Sequence, residues 1–168
     1  MNNITTLISR FVVLLLLQVL IMNNIRLTGW DINPHLYIVF ILIVPNDVPK
    51  WLVLVLSFFL GLSIDIFTDT TGLHMAACTL IAFARYYVLQ LISARDSYET
   101  GSEPNLHNHG LVWFSRYTVV LVFLHQFAYY FLDAFSLKKF FLTFVVVLIA
   151  TVISSAVIVL SQFFMFKK

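Results

Sequence analysis

Charged residues are scarce in this chain: Asp, Glu, Lys and Arg make up 11% of its 168 residues, against about 25% in soluble domains. Hydrophobic residues make up 61%, whereas about 45 to 50% is usual. A chain of this size folded in water buries only about two thirds of its surface, so many apolar side chains would stay exposed and cause aggregation. The composition therefore excludes a soluble enzyme or a secreted domain, and it predicts an integral membrane protein.

Cysteine is represented only by Cys78, which excludes an internal disulfide and a cysteine-based zinc site. The net charge of +2 is too small for a nucleic-acid-binding surface. Catalytic patterns such as Gly-x-Ser-x-Gly and His-Glu-x-x-His are missing, as is a phosphate-binding glycine loop. His107 and His109 lie near Glu99 and Glu103, but in a polar loop such residues are usually solvated. We therefore predict no enzymatic activity, no catalytic residue, no cofactor, no metal ion and no nucleic-acid partner.

Five apolar stretches approach the roughly 20 residues that a helix needs to cross a bilayer. A sixth is too short, since it would rise only about 18 Å as a helix. It must lie in a protein-lined place, or enter and leave on one side. Asn33 before Pro34 predicts its start and Pro45 its end. We expect one all-α transmembrane domain over residues 1–168, with candidate spans at 8–25, 34–45, 51–67, 72–92, 111–132 and 140–166.

The distribution of basic residues leaves the number of spans open, although cytoplasmic loops usually collect Lys and Arg. Six spans with a cytoplasmic N-terminus give five basic residues inside and three outside, and five spans with an outer N-terminus give the same count. Both topologies place loop 93–110 and the C-terminus in the cytoplasm. The first stretch is expected to remain as a span, because no small-residue cleavage pattern follows it. With six spans the inner residues are Arg10, Lys50, Arg95, Lys167 and Lys168, and the outer ones are Arg26, Lys138 and Lys139.

An ordered set of motifs between residues 32 and 92 resembles the rod-shape-determining membrane protein family MreD. The set begins with Ile32-Asn33-Pro34 before the short apolar stretch and continues with Pro49-Lys50-Trp51. Its most specific part is Gly61-Leu62-Ser63-Ile64-Asp65, followed by Gly72-Leu73-His74. In that family a Gly-Leu-x-x-Asp helix is followed within several residues by a glycine that opens the next helix.

The resemblance implies a six-helix transmembrane bundle in the bacterial inner membrane with both termini in the cytoplasm. It also implies a likeness to the substrate-binding subunits of energy-coupling-factor transporters. The implied function is that of a non-enzymatic scaffold or regulator of the elongasome, the cell-elongation machinery for lateral peptidoglycan synthesis, which maintains rod cell shape. The implied partner is MreC, and through it the MreB filament, the SEDS-type glycan polymerase and its transpeptidase, with membrane lipids around the bundle.

The alternative is a small-molecule-binding subunit of a vitamin-type membrane transporter. Such subunits generally carry an Ala-x-x-x-Ala stripe on the first helix, and this chain has no alanine before Ala76. Its first helix is bulky all round, which favours the scaffold interpretation. An intramembrane enzyme is a third reading that no residue pattern supports.

Polar residues inside the spans are candidates for a structural cluster. One stripe of a helix is formed by residues that recur at every fourth position: Ser57, Gly61, Asp65 and Asp69. Helix rise places Asp65, His74 and His125 in one outer layer of the bilayer. The cluster, which we predict to fix helix packing, consists of Ser57, Gly61, Asp65, Gly72, His74 and His125. The alternative is a ligand or proton site, because ionisable groups in a membrane are usually functional.

The same interpretation predicts how two residues respond to substitution. We expect Gly61→Ala to be nearly silent and Gly61→Leu to separate two helices. We expect Asp65→Asn to keep most contacts with His74 or His125 and to cost about 1 to 2 kcal/mol of stability.

Two arginines lie a short distance inside the cytoplasmic ends of their spans. Arg85 and Arg116 are each about 7 to 10 Å from those ends, so their side chains can extend to lipid phosphates. The alternative is a docking surface for a cytoplasmic partner.

Overall fold

The computed structural model describes residues 2–25, 32–92, 103–135 and 140–165. Within these ranges all regular secondary structure is helical. The helices are α1 Asn2–Leu20, α2 Ile38–Ile43, α3 Lys50–Thr68, α4 Leu73–Ile92, α5 Leu106–His109, α6 Leu111–Ala134 and α7 Phe140–Met165, with a 3₁₀ turn at Met22–Asn24. The predicted residues that lie outside the described ranges are Arg26, Arg95, Glu99, Lys138, Lys139, Lys167 and Lys168.

Five helical stretches of the described chain are long and apolar enough to cross a membrane: α1 with the turn that follows it, α3, α4, α6 and α7. The chain is thus an α-helical multi-pass membrane protein, as its composition predicts. Most boundaries agree with the apolar stretches to within two residues. Helix α1 instead begins at Asn2, well before residue 8, because a helix continues through polar residues beyond the apolar run.

The sixth apolar stretch forms the centre of the bundle. Every residue from 34 to 45 is buried, but only Ile38–Ile43 is helical. The expected helix over 34–45 is therefore wrong at its start, where residues 34–37 form extended chain and a turn. A segment of this kind leaves backbone groups without helical partners, and inside a membrane these groups must find partners in the protein.

Side chains of α1 and α7 bind the backbone at the start of this central segment. Gln18 Oε1 accepts hydrogen bonds from the N–H groups of Leu36, at 2.8 Å, and Tyr37, at 3.3 Å. Gln18 Nε2 donates to the carbonyl of Pro34 at 3.1 Å. Ser154 Oγ accepts from the N–H of His35 at 3.1 Å. Four backbone groups that the short helix leaves unpaired are satisfied in this way.

Side chains of α4 and α6 bind the end of the segment. Arg85 Nη2 donates to the carbonyl of Val44 and, at 3.2 Å, to Asn46 Oδ1. Arg85 Nε donates to the hydroxyl of Tyr117 at 3.1 Å, and that hydroxyl donates to the carbonyl of Leu42 at 3.1 Å. A positive charge at a helix C-terminus is also favoured by the helix dipole. The four surrounding helices thus provide the partners that lipid cannot.

Candidate functional site

Gly61 lies where the backbones of α3 and α4 touch. A Cβ atom built on this glycine would lie 2.5 Å from Met75 Cα and 2.6 Å from the carbonyl oxygen of His74. These atoms belong to the backbone of α4 and cannot move aside like the end of a side chain. The expectation that Gly61→Ala is silent is therefore wrong, since even a methyl group has no space at this contact.

Asp65, one turn further along α3, binds the start of α4. Its Oδ1 accepts from the N–H of His74 at 3.0 Å and from the hydroxyl of Thr70 at 2.5 Å. Its Oδ2 accepts from the N–H of Met75 at 2.9 Å. The carboxylate thus satisfies two of the free N–H groups in the first turn of α4 and lies at the positive end of its dipole. Gly72, with φ +85°, provides the left-handed turn just before this helix.

These contacts differ from the cluster expected for Asp65. The carboxylate binds the main chain of His74 and Met75, not the imidazole of His74 or His125. The spacing correctly places Asp65 beside the start of α4, but it cannot distinguish main-chain from side-chain partners.

The two predicted histidines meet instead at Tyr37, a residue that is not among the predicted members of the cluster. The hydroxyl of Tyr37 lies 2.8 Å from His74 Nδ1 and 2.8 Å from His125 Nε2. A hydroxyl has one proton to donate, so one imidazole accepts from Tyr37 and the other donates to it. Tyr37 therefore joins α4 and α6 through the central segment.

His35 and Tyr129 complete a histidine–tyrosine cluster of five rings: His35, Tyr37, His74, His125 and Tyr129. The ring of His35 lies 5.3 Å from that of His74 and 5.4 Å from that of His125, centroid to centroid. Tyr129 lies 4.6 Å from His74. The sequence signal for the missed members is the pair of polar rings, His35 and Tyr37, in an otherwise apolar stretch.

Ser57 lies one turn before Gly61 on the same stripe and is fully buried. Its hydroxyl has no hydrogen-bond partner among the described residues. The contribution of this residue is thus its small size at the packed face of α3, in line with its neighbours Gly61 and Asp65.

The two arginines differ from each other. Arg116 is exposed on α6, where it can reach lipid phosphates or a partner. Arg85 is only 7% exposed, so the expectation that its side chain extends outward along the surface of the bundle is wrong. Its face of α4 is turned toward the end of the central segment, where it binds the carbonyl of Val44.

Replacing Asp65 tests the capping role. Asp65→Asn should lower the free energy of unfolding by about 2 to 4 kcal/mol, more than the sequence suggests, because an NH₂ group replaces one of the two carboxylate oxygens that accept hydrogen bonds here and because the amide carries no charge for the helix dipole. The control is Asp69→Asn, since Asp69 is exposed and asparagine tolerates its φ of 55°. Reversible unfolding in mixed micelles measures the free energy of unfolding of both variants. An Asp65→Asn protein with wild-type stability and no function would contradict the structural role.

The fold and composition define the class as an α-helical multi-pass membrane protein with polar side chains buried in a mainly apolar core. Comparison of the chain with protein-family models, with curated proteins and with solved structures finds no match.

Proposed function

We propose that this chain is a non-enzymatic scaffold or regulator of the MreD type, acting in lateral peptidoglycan synthesis in the inner membrane of a rod-shaped bacterium. The observation that carries the proposal is the joint between α3 and α4. Gly61 and Asp65, the most specific residues of the resemblance, both contact the His74–Met75 turn. A motif whose two main residues build a helix joint suits a protein that works by packing and by presenting surfaces to partners.

The proposed topology has six spans, with the central segment as the second and both termini in the cytoplasm. Arg10 of α1 binds Glu103 at 2.8 Å, which supports placing the start of α1 at the same end as the loop before α6. Gln18, further along α1, binds the start of the central segment. The end of that segment binds Arg85, which lies about 16 Å from His74 along α4. The central segment thus runs from the level of His74 to the level of Arg85 along α4. This displacement supports a segment that crosses the membrane more than one that returns to the same side.

The proposed partners are MreC and, through it, the MreB filament, the SEDS-type glycan polymerase and its transpeptidase. Large apolar side chains on the outside of the bundle, such as Ile66, Phe141 and Val152, supply surfaces for helix packing as well as for lipid. The bundle fold itself is proposed to resemble that of the substrate-binding subunits of energy-coupling-factor transporters.

The vitamin-transporter subunit is the second candidate, and the histidine–tyrosine cluster is the observation that favours it. Polar rings buried in a bundle can hydrogen-bond a small polar ligand. Against this, the Tyr37 hydroxyl is already hydrogen-bonded to both His74 and His125. The scaffold proposal therefore remains the stronger one.

Affinity purification of the tagged chain from native membranes in mild detergent distinguishes the scaffold from the vitamin-transporter subunit. We expect a bitopic coiled-coil protein and wall synthases to co-purify, and depletion of the chain to turn rod cells round. The comparison is a Gly61→Leu chain. It should neither co-purify with these partners nor restore rod shape to depleted cells, because its α3–α4 joint is disrupted. An ATPase module with a bound vitamin, or unchanged cell width after verified depletion, would contradict the proposal.

A further inference from the structure

A cleft of about 320 Å³ opens between the start of α3 and the second half of α4. Its polar lining comes from Asn46, Lys50, Arg85, Tyr86 and Tyr87, and the rest is apolar. The cleft lies beside the end of the central segment, at the end of the bundle where α3 begins and α4 ends.

Two positive charges line this cleft without a negative partner in the described part of the chain. Arg85 is almost fully buried, and the acceptors of its hydrogen bonds are neutral: a carbonyl, an amide oxygen and a tyrosine hydroxyl. Lys50 Nζ lies over the ring of Tyr86, 3.1 Å from its centroid. The one ion pair found among the described residues joins Arg10 and Glu103, outside the cleft. A buried cation without a counter-charge is costly, so the cleft favours an anion.

An apolar groove continues from the cleft along the outer face of α3 and α4. This groove has a volume of about 480 Å³ and shares Leu54 and Phe83 with the cleft. At its far end it is lined by Met75 and Ala76. The distance from Arg85 to Met75 along α4 is about 15 Å, which is half of the roughly 30 Å hydrocarbon thickness of a bilayer. The groove thus has the length of one leaflet.

We propose that the cleft and the groove together bind one anionic phospholipid. The phosphate lies between Lys50 and Arg85, where Asn46 and Tyr86 supply further hydrogen-bond donors, and one acyl chain lies along the groove. Phosphatidylglycerol fits the two cations, whereas the ammonium group of phosphatidylethanolamine would be repelled by them. A free phosphate would fill the cleft but leave the apolar groove unused. This site does not depend on the proposed scaffold function.

Native mass spectrometry of the purified full-length protein with added lipids tests the site. Wild type should bind phosphatidylglycerol about tenfold more tightly than phosphatidylethanolamine. Lys50→Gln should lose most of this preference. Ala76→Trp, which fills the groove, should weaken the binding of both lipids about tenfold. The matched controls are Lys50→Arg, which keeps the charge in the cleft, and Val119→Trp, which adds the same ring at an exposed position on α6. Both should bind like wild type.

Three results would overturn the proposal. The first is equal affinity of wild type for the two lipids. The second is an unchanged preference in a folded Lys50→Gln protein. The third is displacement of the lipid by glycerol phosphate together with normal binding by Ala76→Trp, which would indicate a soluble-anion site. Arg85 is left unchanged throughout, because its contact with Val44 also supports the fold.

Discussion

Gly61→Ala should destabilise the protein by about 3 kcal/mol or more, a large effect for the addition of one methyl group. The added Cβ would lie 2.5 Å from Met75 Cα and 2.6 Å from the nitrogen of the same residue. Overpacking usually costs about 1 to 3 kcal/mol when side chains can adjust. Here backbone must move, and the shift would also pull the first turn of α4 away from Asp65. Unfolding in mixed micelles gives the free energy directly.

The control for this prediction is Ser63→Ala, two residues away on the same helix. The hydroxyl of the half-buried Ser63 donates to the carbonyl of Phe59 within its own helix, and this hydrogen bond is exposed to the surroundings, so its loss should change stability by less than about 0.5 kcal/mol. Equal stability of the Gly61→Ala and Ser63→Ala proteins would contradict the backbone contact between α3 and α4.

Gln18→Leu should destabilise the protein by about 3 to 6 kcal/mol. The side chain is 1% exposed and is the partner of the Pro34 carbonyl and of the N–H groups of Leu36 and Tyr37. Leucine has a similar volume but leaves these groups unpaired in an apolar place, at about 1 to 3 kcal/mol each. The backbone amide protons of Leu36 and Tyr37 should also exchange faster in the Gln18→Leu protein than in wild type.

The matched control is Gln90→Leu, because Gln90 is exposed on α4 and, among the described residues, donates to the Tyr86 hydroxyl of its own helix. We expect its effect to stay within about 0.5 kcal/mol. If Gln18→Leu were equally mild, the central segment would not depend on α1 for its backbone partners.

Composition and apolar length predict the class of the protein and its five long helices, because lipid demands long apolar runs. Spacing also places Asp65 beside the start of α4, since an antiparallel turn near residue 70 leaves few alternatives. The role of Arg85 could not be predicted in the same way. Helix rise gives its depth along α4, but the face it presents depends on where the central segment ends.

The histidine–tyrosine cluster shows the same limit. His35 and Tyr37 belong to a stretch too short to be assigned as a span by length, so its partners on α4 and α6 could not be inferred. The response of Gly61 to alanine depends on a distance of a few tenths of an ångström between two backbones. A pattern of small residues indicates close packing, but it does not say whether a methyl group fits.

The proposed path of the central segment is tested most directly by cysteine labelling in intact cells. In a Cys78→Ser background, Asn24→Cys reports on the turn before the segment and Asp47→Cys on the turn after it, and Thr71→Cys, between α3 and α4, is the outer control; all three positions are exposed. With a reagent that cannot cross the inner membrane, six spans predict that Asn24→Cys and Thr71→Cys are labelled and that Asp47→Cys is labelled only after the membrane is permeabilised. Five spans with an outer N-terminus place both Asn24 and Asp47 inside, so protection of Asn24→Cys in intact cells, or labelling of Asp47→Cys there, would contradict the six-span account.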